Sequence, residues 1–312
     1  MANQVSSRRE FLRDTVLATA VAGVVTGAAE AGSGKLHVAC NQYPWGTFYA
    51  REKRDFNVLL DSGLAEVKAS GNDGFEPGVG GLQQIEQMMP LLKKHGLEMR
   101  SLYVNSTLHE ASQTDRSIEE VLAAAAKAKT FGTRIIVTNP SPIRWGGPEN
   151  KTDEQLQVQA TALDKLGARL KQMGLTLAYH NHDIELRSAA REFHHMMVGT
   201  DPAHVTLCLD AHWIYRGAGN SQVALFDVLK LYGPRITELH LRQSQDHLWT
   251  EAFGPGDIDY PRLADHLLKI GIKPLLVLEQ AVEAGSPNTM NAVEAFKKST
   301  EYTRQVFAGF AG

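Results

Sequence analysis

Cysteine is scarce in this chain of 312 residues: there are two, Cys40 and Cys208, each inside an apolar run from a distant part of the sequence. Two such residues build no disulfide framework and are expected to be buried free thiols. Charge of one sign is lacking as well. With 32 basic and 35 acidic residues the net charge is −3, which offers no basic field to a phosphate backbone and argues against a nucleic-acid partner. The most apolar N-terminal stretch, residues 15–26, is too short to span a bilayer, so no stable membrane anchor is expected. Neither a GxGxxG turn nor a P-loop occurs, which leaves a Rossmann reading without a phosphate-binding motif.

The first thirty residues have a pattern of their own. Arg8-Arg9-Glu10-Phe11-Leu12-Arg13 precedes the short apolar stretch, and small residues follow, ending Ala29-Glu30-Ala31. A charged region, a short apolar region and an A-x-A-like site make an export signal, and the paired arginines resemble the twin-arginine type. The expectation is a signal over residues 1–31, cleaved near Ala31, and a mature protein exported to the periplasm.

From residue 35 onward, short apolar runs alternate with amphipathic segments. The runs cover residues 35–42, 74–76, 97–104, 133–139, 175–181, 204–210, 235–241 and 274–279. Residues 118–131 and 152–173 carry apolar side chains at three- and four-residue spacing, as helices do. Several helical segments end on a glycine that leads into the next run, as in His95-Gly96-Leu97 and Met173-Gly174. Eight strand–helix units imply parallel strands and a single (β/α)8 TIM barrel over residues 32–312, with no linker to a second domain.

Chemistry in such a barrel gathers where strands end. The last four runs each finish on a metal-ligand type: His180, Asp210, His240 and Glu279. They are 30, 30 and 39 residues apart, one strand–helix unit each, so neighbouring staves bring them together. Mixed imidazole and carboxylate ligation suits one divalent ion of the Mn, Co, Zn, Fe or Mg kind. Glu76, Asn105 and Asn139 also end runs. Glu76 is read as a distal acid or base, Asn139 as a substrate contact, and His212 as support for Asp210 or a substrate contact. Arg242 can clamp a substrate oxygen. All four tryptophans, Trp45, Trp145, Trp213 and Trp249, follow runs. Aromatic faces at a barrel mouth suit the C–H faces of a sugar, and Trp45 and Trp213 are the expected contacts.

Gly71–Glu76, Leu177–Glu185, Leu209–Trp213, Glu238–Arg242, Gly254–Asp259 and Val277–Gln280 together resemble the xylose isomerase-like TIM-barrel proteins. The resemblance covers essentially the whole chain after the signal. It implies a metal held by residues of staves five to eight, and Asp210, His240 and Glu279 match three of them. Many members carry Glu-Asn-His on stave five, where this chain has His180-Asn181-His182. The resemblance leaves His180 and Glu185 both open as the fourth ligand. It implies a small-molecule substrate, a sugar, keto-sugar or cyclitol, and a proton moved next to a metal-polarised oxygen by Glu279 and His182. An isomerase or epimerase is the family's commonest activity. A dehydratase or lyase acting on an inosose or 3-keto glycoside uses the same groups, and a non-catalytic exported sugar-binding barrel is the rival outside enzymology. Monomer and homo-oligomer both remain open.

Overall fold

The computed structural model describes residues 34–311. The export signal expected over residues 1–31 lies outside them.

Within the unit from Lys35 onward, nine strands form one sheet of parallel neighbours in the order β2-β1-β11-β8-β7-β6-β5-β4-β3. They are β1 (Val38–Asn41), β2 (Gly74–Glu76), β3 (Gly78–Val79), β4 (Ser101–Val104), β5 (Ile135–Thr138), β6 (Thr176–His180), β7 (Val205–Asp210), β8 (Ile236–Leu241) and β11 (Leu275–Leu278); β9 (Ser244–Gln245) and β10 (Leu248–Trp249) form a separate antiparallel pair. The count of nine against an expected eight has a simple cause. Pro77 has no N–H to give a ladder and divides one stave into β2 and β3. Its carbonyl still accepts from Tyr103 N at 3.0 Å, so the stave crosses from β1 on one side to β4 on the other. The structure is therefore an eight-stave barrel with helices outside it, and the strand cores lie inside the eight runs.

Local chemistry explains the helix boundaries. The helix Asp153–Gln172 begins with a reciprocal capping box between Thr152 and Gln155. The helix Leu82–His95 stops at Gly96, whose φ of 62° is a left-handed conformation that glycine adopts without strain. Gly74 answers a different demand: a Cβ there would lie 2.8 Å from the Glu98 carbonyl oxygen. Cys40 and Cys208 are both buried and free. Among the described residues, no helix is long and apolar enough to cross a membrane.

Candidate metal centre and substrate cavity

The parallel register sets the site. Asp210 on β7 pairs with His240 on β8, and His240 pairs with Val277 on β11, two residues before Glu279. His180 closes β6, the next stave. One donor atom from each of His180, Asp210, His240 and Glu279 lies within 4.8 Å of all the others. The His240 Nδ1 to Glu279 Oε2 distance is 2.8 Å; His180 Nε2 stands 3.7 Å from Glu279 Oε2 and 4.0 Å from Asp210 Oδ2. Both ring nitrogens of His180 and Oδ2 of Asp210 are buried without a hydrogen-bond partner. Buried polar atoms are normally satisfied, so unpartnered donors converging on one point fit a divalent ion held by these four residues.

The carboxylates differ in state. Burial, with the nearby Glu279 carboxylate, outweighs Arg242 and pushes the Asp210 carboxyl up to about 7. Burial acts on Glu279 in the same sense, but the Arg242 guanidinium and the His240 and His180 rings outweigh it and hold the carboxyl well below its usual range. Arg242 is fully buried, with Nη2 3.2 Å from Glu279 Oε1 and 3.7 Å from Asp210 Oδ2. Its guanidinium carbon lies 4.9 Å from the Trp213 ring centre and 4.3 Å from that of Trp249. The two indoles, set edge-to-face with ring centres 5.5 Å apart, form an aromatic corner whose cation–π contacts hold the guanidinium in place.

Above the four donors opens a cavity of about 800 Å³, lined among others by Glu279, Arg242, His182, Trp213, Tyr103 and Trp145. His182 presents a ring that burial, and then the neighbouring His180, keeps neutral. The structure brings His182, Trp213 and Arg242 together with Glu279 around this cavity.

Other expectations need correcting. Trp45 makes no wall of the cavity. It is fully buried, stacks on Phe296 at 4.8 Å, and donates its indole N–H to Cys40 Sγ. The reason is local: Asn41 caps a helix that begins at once, Gln42–Arg51, and Trp45, four residues past the cap, falls with Phe48 and Tyr49 on the face packed into the barrel–helix core. Asn139 is likewise structural. Its amide donates to the His180 carbonyl and to Glu185, tying β5 to β6. Glu185 stands outside the donor cluster, its carboxylate accepting from His182 N at 2.6 Å and from Asn139; it fixes the loop that carries His182. Glu76 is completely buried beneath His240, with Oε1 3.1 Å from His240 Nε2, and is not among the cavity-lining residues.

His212 sits behind Asp210, enclosed by Trp213, Tyr215 and Trp249, with neither ring nitrogen bonded. Burial, then Arg242 and Arg216, lowers its pKa from 6.5 to about 2. The unfolded chain therefore takes up this proton first, and the stability that a neutral His212 allows is complete above pH 6.5 and is lost as pH falls below it. The urea midpoint of wild type is expected to fall more steeply than that of His212→Phe between pH 6.5 and 5. Parallel curves would remove this assignment.

One participant escaped the strand-end search. Glu238 lies two residues before His240, so strand alternation points both side chains into the barrel. Its Oε1 is 3.0 Å from His240 Nε2, and burial followed by the nearby Glu76 pushes its carboxyl up to about 8. A neutral acid here holds the far side of the ring whose Nδ1 faces the donor cluster. Partners of this kind are worth about 10–100-fold in metal affinity. Competition titration with a chromophoric chelator is expected to show that loss for Glu238→Leu, whereas Glu238→Gln, an isostere of the neutral acid, keeps most of the affinity. Equal affinity in Glu238→Leu and wild type would sink the idea.

Comparison with known proteins agrees with this architecture. The chain is 25% identical to the inosose dehydratase of Lacticaseibacillus casei over 280 residues, covering 80% of this chain and 91% of that relative. A sugar phosphate isomerase/epimerase from Parabacteroides distasonis superposes with a TM-score of 0.67 at 18% identity, over 91% of this chain and 98% of the other. A xylose isomerase-like TIM barrel protein from Mycobacterium smegmatis, solved in complex with magnesium, gives 0.67 at 15% identity over 90% and 100% of the two chains. Residues 64–306 match the family described as xylose isomerase-like TIM barrel. Over that span, most of its length, the chain belongs to the xylose isomerase-like TIM barrel family.

Proposed function

We propose that this protein is a metal-dependent enzyme that removes a proton beside the carbonyl of a keto-sugar or cyclitol, and that the deprotonated substrate then loses a β-substituent. The observation that carries the reading is the buried set His180, Asp210, His240 and Glu279 at the base of the cavity, with donor atoms left unpartnered. A divalent ion bound there supplies a Lewis acid for the substrate carbonyl. Glu279, the one member of the set that lines the cavity, is kept as a carboxylate by Arg242 and the two histidines and accepts the proton. Arg242, whose Nη1 has no partner, offers donors to the oxygen that gains negative charge. His182, neutral and at the cavity wall, is placed to accept a hydrogen bond from a substrate hydroxyl, and the proton taken up by Glu279 is the one that leaves with the departing oxygen.

Loss of a β-substituent is preferred for two reasons. Relatives that span most of this chain are named inosose dehydratases. In addition, stave five carries His180 instead of a carboxylate, which removes the symmetrical pair of glutamates that inverts a stereocentre from both faces. Isomerisation is the second reading, favoured by Glu279 and His182 standing at one cavity, where a proton can be taken up and returned.

The test is incubation of metal-loaded protein with a panel of ketoses, inososes and 3-keto glycosides, followed by NMR in D₂O. Deuterium beside the carbonyl is expected, with a product lighter by water or an aglycone. A product of unchanged mass would select isomerisation. A metal-free protein that binds sugar and exchanges no proton would leave a binding barrel.

A further inference from the structure

The cavity is larger than a single sugar requires. Sites of about 300–1,000 Å³ bury ligands of drug size, and at about 800 Å³ this one lies toward the upper end, with Glu279 the one metal donor among its lining residues. Its outer part is bordered by two exposed aromatic residues from different sides of the barrel. Tyr43 follows β1 and is 51% exposed; Trp145 follows β5 and is 54% exposed, and both line the cavity.

Both rings stand on anchored backbone. Tyr43 sits in the first turn of its helix, with its backbone N–H bound to the Asn41 side chain at 2.8 Å. The Trp145 loop is closed by the Arg144–Glu149 ion pair at 2.7 Å and pinned by Arg187 donating to the Gly147 carbonyl at 2.8 Å. Trp145 meets the His182 ring edge-on at 5.0 Å, and His182 in turn meets His180 at 4.7 Å. Two ring contacts thus separate the open tryptophan from the donor cluster. Single exposed apolar residues are common on any surface, but aromatic rings exposed together along one cavity mark a binding groove. Aromatic faces fixed before binding also stack at little entropic cost.

We infer that Tyr43 and Trp145 form a second subsite, and that the substrate is a glycoside whose second flat ring lies there while its sugar reaches the metal donors. This rests on the function proposed above and adds the substrate class to it. The second ring is an aryl aglycone or another sugar, since both present a face to an indole.

Calorimetric titration of metal-loaded full-length protein with D-glucose, phenyl β-D-glucopyranoside and cellobiose separates the cases. The phenyl glucoside is expected to bind about tenfold more tightly than glucose, the sum of two aromatic contacts, and Trp145→Ala and Tyr43→Ala should each reduce that ratio. Cellobiose sharing the advantage assigns a sugar to the subsite; phenyl glucoside alone assigns an aryl group. The inference is overturned if neither two-ring ligand outbinds glucose, absence of all binding included, or if the ratio survives both substitutions. Deuterium exchange measured on the same preparation keeps the two readings apart. Exchange without ring preference removes the subsite and leaves the reaction, while ring preference without metal or exchange removes the reaction and leaves the subsite.

Discussion

Asp210→Ala is expected to lose its metal, with affinity falling more than about 100-fold, beyond the range of partners that only support a ligand. The argument starts from what the carboxylate does. Oδ2 is buried and unpartnered among the donors, and Oδ1 accepts from Trp213 N at 2.8 Å, capping the helix Ala211–Gly217. Removing it takes away a ligand, a helix cap worth about 1 kcal/mol, and one of the two carboxylates facing the buried Arg242. Asp210→Asn separates these roles, because an amide oxygen still caps the helix while the anionic donor is gone. Emission spectrometry of dialysed protein should find metal in wild type and little in either variant. A metal at 100 times its Kd stabilises a fold by about 2.7 kcal/mol, so chelator should lower the wild-type Tm and leave both variants unmoved. Stoichiometric metal in Asp210→Asn would displace the site from these four residues.

Glu279→Gln should have the next largest consequence, a fall of about 10²–10⁴ in the rate of deuterium exchange, the usual contribution of a positioned base. The substitution changes little in shape. Oε2 lies beside His240 and His180, and Oε1 beside Arg242; an amide oxygen can keep one of these contacts but cannot accept the proton. Exchange must be measured at saturating metal, so that lost affinity and lost chemistry are not confused. Undiminished exchange in the metal-saturated variant would move the base to His182.

The barrel was legible because every stave announces itself as a short apolar run with a polar residue at its end, and the spacing of His180, Asp210, His240 and Glu279 places them on consecutive staves. Legibility failed where one residue type serves two environments. Trp45 follows a strand just as Trp213 does, and both lie in helices entered without a loop. Trp45 lies four residues past its N-cap and Trp213 three, and that one-residue offset, about 100° of helix rotation, sends Trp45 into the core and Trp213 to the cavity. Asn139 ends its strand as a substrate contact would, but its amide is consumed between β5 and β6. Glu238 carried a usable signal, a carboxylate two residues before a ligand on the same strand face, which a search confined to strand ends passes over.

The contact of Arg242 with both Trp213 and Trp249 also gives the protein an optical reporter. An indole emits at a wavelength that depends on the charge beside it, and here one guanidinium faces two indoles while also facing Asp210 and Glu279. When an ion or a substrate oxygen alters the field on that guanidinium, both rings register it; Trp45, sealed in the core, supplies a steady background, and Trp145→Phe removes the signal of the indole at the cavity wall. Titrating metal and then ligand while following tryptophan emission should therefore give a signal from the centre itself, without a label.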